Sequence, residues 1–239
     1  MKVEIWSDYV CPFCYIGKRK FELALDRFAH KEEIEIVFRS FELDPGADPQ
    51  STTSTYSMLA SKYGMSIEKA KETTAGVAEQ AAAVGITFNF EKTVSTNTFD
   101  AHRVVHFAAQ HGKDKELSER LFKGYFTEGH NIGNRVKLAA LAAEVGLDAV
   151  AVAEMLETNQ FSEAVRGEEE DGSKLGIRGV PFYVVDRKYA VSGAQSPEVF
   201  LDTLNKAWEE KHPAVIQVNE GDADVLCTDG YCAPDAPKS

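Results

Sequence analysis

The chain has 239 residues, 44% of them hydrophobic, which is enough to bury a core without help from disulfides. Its 38 acidic and 26 basic residues give a formal net charge of −12, which argues against a nucleic-acid backbone or an anionic membrane surface as partner. No run approaches the roughly 20 apolar residues of a membrane span and the first residues carry no apolar signal core, so the expected location is the cytoplasm.

Residues 2–8 read as a short strand with Val3 and Ile5 on one face, reaching Cys11 after only Tyr9 and Val10. A helix follows at once. Its apolar positions are Phe21, Leu25 and Phe28, and Lys18, Arg19, Lys20, Asp26 and Arg27 are expected on the wet side. Residues 34–43 alternate like a second strand, and Asp44-Pro45-Gly46 ends it.

From residue 51 to 175 the pattern changes to alanine-rich helical segments, predicted at 55–63, 66–84, 97–111, 114–126, 134–145, 148–157 and 159–175. A short strand-like run, Ile86-Thr87-Phe88, is the one exception. Strand character returns at Val180-Pro181-Phe182-Tyr183-Val184-Val185 and, after a turn, at Tyr189–Ala194. A last helix starts at Ser196-Pro197, with Val199, Phe200, Leu204 and Trp208 expected inward.

The order βαβ, helices, ββα predicts an α/β fold in which residues 1–50 and 176–212 complete one mixed sheet. Residues 51–175 are then an all-helical insertion, and 213–239 an acidic tail.

All four cysteines fall in two close pairs, Cys11/Cys14 and Cys227/Cys232. In the cytoplasm such pairs are catalytic, redox-sensing or metal-binding before they are structural. Cys11 follows a strand and opens a helix, where free N–H groups and the positive end of the helix dipole favour a thiolate. Cys14, one turn on, is placed to resolve a mixed disulfide, and Pro12 opens the helix without wasting a donor. The competing readings are zinc, for which four cysteines would make a full tetrahedral set, and inert buried thiols. Proline leading straight into an amphipathic helix beside a βαβ unit is the redox pattern.

Several other groups admit competing readings. Pro181 at the start of a strand is either an edge-strand proline or, with a cis bond, the means of exposing the Val180 backbone beside Cys11. His102 and His106, spaced i, i+4, could ligate a metal, but no third ligand follows by spacing, and helix packing accounts for them better. Gly129–Gly133 lacks the pattern of a phosphate loop and reads as the start of a helix capped by Asn134. Glu168, Glu169, Glu170 and Asp171 read as a solvated charge run.

Four motifs together resemble the DsbA-like thioredoxin-fold oxidoreductases, and within them the cytoplasmic FrnE-like branch. They are Asp8-Tyr9-Val10-Cys11-Pro12-Phe13-Cys14-Tyr15-Ile16-Gly17, Asn97-Thr98-Phe99-Asp100-Ala101-His102-Arg103, Phe126-Thr127-Glu128-Gly129 with Ile132-Gly133, and Gly179–Val185 leading to Ser192-Gly193-Ala194-Gln195. The resemblance implies a thioredoxin-like domain with a helical insertion. It also implies that Cys11 is the nucleophile, Cys14 the resolving thiol, and Val180–Pro181 a cis peptide that, with Phe13, binds the substrate. Secreted members usually carry histidine where Phe13 stands, so a strongly oxidising potential is not carried over.

The expected substrates are protein or small-molecule thiols and disulfides, with exchange against thiols such as glutathione or thioredoxin, and neither cofactor nor metal. A related architecture, that of the 2-hydroxychromene-2-carboxylate isomerases and kappa-class glutathione transferases, supplies the alternative. Those enzymes typically have serine where Cys11 stands. A pure binding module is the third reading. Cys227 and Cys232 flank an Asp-Gly turn dipeptide and are expected to form a second redox pair that relays electrons to the first, with a structural clip or a metal site as competitors. Closing so short a loop constrains the unfolded chain by only about 2 kcal/mol, a weak motive for a clip.

Overall fold

The computed structural model describes residues 1–213; Cys227 and Cys232 lie outside the described residues. Four strands form one sheet: β1 (Lys2–Ser7), β2 (Glu35–Ser40), β3 (Phe182–Val185) and β4 (Tyr189–Ser192), in the order β2-β1-β3-β4. β1 pairs parallel with β2, placing Val3 opposite Ile36, and antiparallel with β3, placing Val3 opposite Val185; β3 and β4 form an antiparallel hairpin. Helix α1 (Pro12–Arg27) makes the crossover from β1 to β2. Seven helices then separate β2 from β3: α2 (Thr55–Tyr63), α3 (Ile67–Ala82), α4 (Phe99–Ala109), α5 (Asp114–Lys123), α6 (Arg135–Glu144), α7 (Ala149–Leu156) and α8 (Ser162–Lys174). Helix α9 (Pro197–Lys211) follows β4. This is the thioredoxin-like mixed sheet interrupted by helices that the element order predicts.

Strand alternation divides the sheet residues between its two faces. Val3, Ile5, Tyr183 and Val185 pack with Phe21, Phe28, Phe200 and Leu204 of the α1/α9 layer. Trp6 and Val184 point the other way, toward Ile177 and α8, where the Trp6 indole N–H donates to the Glu168 carbonyl over 2.9 Å. The main helical cluster is continuous with the start of α1. Cys11, Cys14, Tyr15 and Ile16 share one apolar core with Leu117, Leu121, Phe122, Leu138 and Leu141.

Helix starts are capped where short polar side chains allow it. Ser54, Ser66, Asn134 and Asp148 each accept a backbone N–H from the first turn of the helix they open.

Five expectations need correction. Ile86-Thr87-Phe88 forms no strand. The helix predicted at 114–126 ends at Lys123 and continues as a π-helical turn, Gly124–Glu128. That turn stops at Gly129, whose φ of 76° and approach to Lys92 leave no room for a Cβ. Val199 faces outward and is 41% exposed. Lys18 and Glu168, assigned to wet faces, are respectively buried and half-buried among partners from distant parts of the chain.

Candidate active site

β1 delivers the chain into α1 so that Cys11 is the N-cap residue and Pro12 occupies the first helical position. The Cys11 N–H donates to the Asp8 carbonyl and the Cys14 N–H to the Cys11 carbonyl, both over 3.1 Å, which fixes the first turn around the pair. Both cysteines are free thiols and buried, Cys11 4% and Cys14 2% exposed. Cys11 Sγ lies 3.6 Å from the Val180 carbonyl oxygen, the group to which its thiol donates. Cys14 Sγ accepts the Asp8 N–H at 3.5 Å. Burial pushes the Cys14 thiol well above its ordinary pKa, and the neighbouring Cys11 sulfur adds to the rise; the Asp8 N–H and Ser7 offset only part of it.

Val180 and Pro181 therefore stand directly across from Cys11, joined by a cis peptide bond. Phe13 projects from the first turn of α1 and is 40% exposed. The structure thus brings Cys11, Cys14, Val180 and Pro181 into one place and sets Phe13 on the rim.

Gly17, the last residue of the first motif and given no role of its own in the sequence, governs how closely these parts meet. A Cβ there would lie 2.7 Å from the Tyr183 hydroxyl, 3.1 Å from Pro181 Cγ and 3.3 Å from Ala194 Cβ. Only glycine lets α1 sit this near the Pro181 loop, and that approach keeps the Val180 carbonyl within reach of Cys11.

Two further clusters brace the site. One turn beyond Cys14, Lys18 Nζ contacts Glu22 and Glu119, each at 2.6 Å. Arg19 bridges the same two carboxylates at 2.7 Å, and the Tyr15 hydroxyl donates to Glu119. Burial would raise the Glu119 carboxyl, but Lys18, Tyr15 and Arg19 hold it below its usual range. The network ties α1 to α5.

The second cluster centres on Glu168 of α8. Its Oε1 accepts from Arg39 at 2.8 Å, and its Oε2 from the Ser40 N–H at 2.8 Å, the Ser40 hydroxyl at 2.7 Å and His106 Nε2 at 3.1 Å. Against the opposing effect of burial, His106 and Arg39 bring its pKa down to about 2. His106, expected to be a packing residue, thus also hydrogen-bonds the Glu168 carboxylate. His102 is buried, donates from Nε2 to the Phe41 carbonyl at 3.1 Å and stands 3.7 Å from Asp8 Oδ1. Among the described residues no group of three or more His, Cys, Asp or Glu side chains is arranged to hold a metal ion.

The DsbA-like thioredoxin domain model matches residues 2–205. The chain belongs to that family. A probable DsbA oxidoreductase from Streptomyces coelicolor superposes with a TM-score of 0.84 at 38% identity, covering 99% of this chain and 100% of its own. An uncharacterised Bacillus subtilis protein, YwbO, is 29% identical over 212 residues, 87% of this chain and 98% of its own. A 2-hydroxychromene-2-carboxylate isomerase shares the fold with a TM-score of 0.63 at 14% identity, covering 88% of this chain and 98% of its own. The DsbA-like fold therefore also occurs in an isomerase, and its chemistry has to be argued from the side chains.

Proposed function

We propose that this DsbA-like chain is a thiol–disulfide oxidoreductase acting by mixed-disulfide exchange through Cys11 and Cys14. The observation that carries the reading is the asymmetry between two adjacent thiols. Cys11 sits at the helix N-cap facing the Val180 carbonyl, while Cys14 lies deeper, with its pKa pushed up. A thiol so raised stays protonated while its neighbour reacts.

The steps balance as follows. The Cys11 thiolate attacks one sulfur of a substrate disulfide, forming a Cys11–substrate disulfide and expelling the other substrate thiolate. Cys14 then loses its proton, attacks Cys11 Sγ and releases the second substrate thiol, leaving Cys11 and Cys14 oxidised. A dithiol or two monothiols of the thioredoxin or glutathione class restore the reduced pair, and run backwards the same steps insert a disulfide. An extended substrate segment would pair with the main chain at Val180, displacing the Cys11 thiol from that carbonyl, and rest on the exposed ring of Phe13.

Two thiols at this position favour the oxidoreductase over the isomerase alternative, because isomerisation has no use for a resolving cysteine. We assign Cys227 and Cys232 the role of a second exchanging pair, neither metal nor cofactor to the reaction, and the cytoplasm as its setting. Among the described residues no helix is long and apolar enough to cross a membrane.

The test is trapping. With Cys14→Ser, incubation with a disulfide substrate should accumulate a covalent adduct that peptide mapping places on Cys11. An adduct on any other residue, or none, would overturn the assignment.

A further inference from the structure

We propose that His102 and Asn97 are positioning residues of the redox centre: acting through segment 41–45 and Asp8, they hold the Asp8 N–H on the Cys14 sulfur and so set the rate at which Cys14 resolves the mixed disulfide. This deepens the exchange reading above and rests on it.

Asp8 is the residue through which β1 touches both cysteines. It directly follows that strand and is fully buried. Its carbonyl accepts the Cys11 N–H at 3.1 Å, and its own N–H reaches Cys14 Sγ at 3.5 Å. In the resolving step Cys14 gives up its proton, and negative charge gathers on a sulfur that burial disfavours as an anion. A backbone N–H aimed at that sulfur lowers the energy of the charge as it forms, provided the donor is already in place. At 3.5 Å the contact is long, so a small displacement of Asp8 is enough to lose it.

Asp8 is in turn held by its side chain. Oδ2 accepts the Leu43 N–H at 2.7 Å, and Oδ1 stands 3.7 Å from His102 Nε2. Leu43 therefore locates the carboxylate, and the segment around Leu43 is fixed from the start of α4. His102 Nε2 donates to the Phe41 carbonyl at 3.1 Å; a carbonyl only accepts, which places the hydrogen on Nε2. Asn97 serves the rest of the segment, its Nδ2 donating to Glu42 Oε1 at 2.9 Å and to the Pro45 carbonyl at 3.1 Å. Its Oδ1 accepts the Phe99 N–H at 2.9 Å, which fixes the amide in the orientation this needs. His102 is equally constrained, being buried with the Tyr9 ring 4.9 Å from its own. Two side chains of the second sequence motif thus clamp both ends of the segment whose middle residue holds Asp8.

Cys11 draws on different groups. It caps α1, with the helix N-terminus around its sulfur and the Val180 carbonyl across from it. Its N–H bond to the Asp8 carbonyl belongs to the turn between them and moves with that turn. Loosening the clamp should therefore slow the second step of exchange and leave the first. A merely structural role would show in stability, or in both steps alike.

The test follows the full chain, reduced, after mixing with glutathione disulfide. Acid quenching, mass spectrometry and peptide mapping record the Cys11–glutathione adduct as it forms and decays. In His102→Leu the adduct should decay at least about tenfold more slowly, the worth of one hydrogen bond to a charged group, and Asn97→Ala should slow it in the same sense. The pH midpoint of decay should move upward in both, because the Cys14 anion loses a donor. The titratable groups facing Cys14 are Cys11 on its own helix, Asp8 after β1 and Tyr183 of β3. All three are present in every chain compared, so the midpoint reports the Asp8 contact. His102→Gln, whose amide nitrogen can stand where Nε2 does, should restore decay to within about twofold of the wild type. In a Cys14→Ser chain, adding His102→Leu should leave adduct formation at its former rate.

Unchanged decay, equal slowing of adduct formation, slowing without a midpoint shift, or a His102→Gln chain as slow as His102→Leu would each overturn the proposal. Should His102→Leu fail to fold, decay and midpoint in Asn97→Ala decide the matter. A missing Cys11 adduct in the Cys14→Ser chain would overturn the exchange reading itself, whereas a normal adduct with unchanged decay in the His102 and Asn97 variants would overturn this inference alone.

Discussion

The Glu168 cluster and the Cys11–Cys14 centre are both polar sites withdrawn from solvent, the first half-buried and the second buried, but they treat charge in opposite ways. Both carboxylate oxygens of Glu168 are occupied, by Arg39, Ser40 and His106. The backbone contacts of the two sulfurs are long, 3.5 Å from the Asp8 N–H to Cys14 and 3.6 Å from Cys11 to the Val180 carbonyl. Close by, Asp8 Oδ1 and the Tyr183 hydroxyl are buried with no hydrogen-bond partner among the described residues. A charge meant to stay is surrounded by donors that lower its energy permanently. A charge meant to appear on one sulfur and vanish again is left without partners that would hold it in one state.

Tightening the reactive side should give the largest effect. Gly17→Ala drives a methyl group into the Tyr183 hydroxyl and Pro181, so α1 must shift away from the Val180 loop. A displacement near 1 Å is expected to slow thiol exchange by about a hundredfold, with a stability loss of about 1–3 kcal/mol from overpacking. Stopped-flow reduction of a disulfide substrate alongside denaturant titration measures both, and an unaffected rate would remove Gly17 from the site.

Emptying the saturated side should cost stability and leave exchange intact. The Glu168 carboxyl goes from an ordinary 4.5 to about 2 on folding. Its folded pKa lies below its unfolded one, so the stabilisation is fully present above about pH 4.5 and is lost as pH falls toward 2. The linked free energy is about 3 kcal/mol. Glu168→Gln should therefore unfold about 3 kcal/mol more easily at neutral pH and lose most of its stability change between pH 4.5 and 2. Chemical denaturation across that window checks the sign.

The smallest change expected is at Tyr183. Its hydroxyl is buried without a partner among the described residues, so Tyr183→Phe removes a desolvated group and breaks no bond. Stability should stay level or rise by up to about 1 kcal/mol. A marked fall in melting temperature would mean that the hydroxyl is satisfied in solution.

The same contrast explains what could be read in advance. The sheet was legible because its strands alternate over local stretches, and Cys11 and Cys14 because proline, helix start and spacing lie within one turn of chain. Asn134 was legible as a cap for the same reason. Glu168 was not, since its partners Arg39 and Ser40 stand 129 and 128 residues away and a carboxylate inside an acidic run carries no local sign of burial. Lys18 was hidden likewise, its partner Glu119 being 101 residues distant on α5. Gly17 was visible only as the end of the first motif; its packing role was hidden because it is defined by atoms of Tyr183, Pro181 and Ala194, none of them near it in sequence.

The strand order has a consequence for how the molecule is made. β1 is central, yet its antiparallel neighbour β3 begins only at Phe182. At typical rates of synthesis, β1 leaves the ribosome roughly 10–35 s before β3 exists. Through that interval one flank of β1 is open, and the two cysteines that follow it lack the Val180 loop. Nascent chains arrested before Phe182 should be cut by protease near β1 and have both thiols alkylated readily, and both sensitivities should disappear once Ser192 has emerged. The cell thus holds a half-built sheet with accessible thiols at its end until the last hairpin arrives.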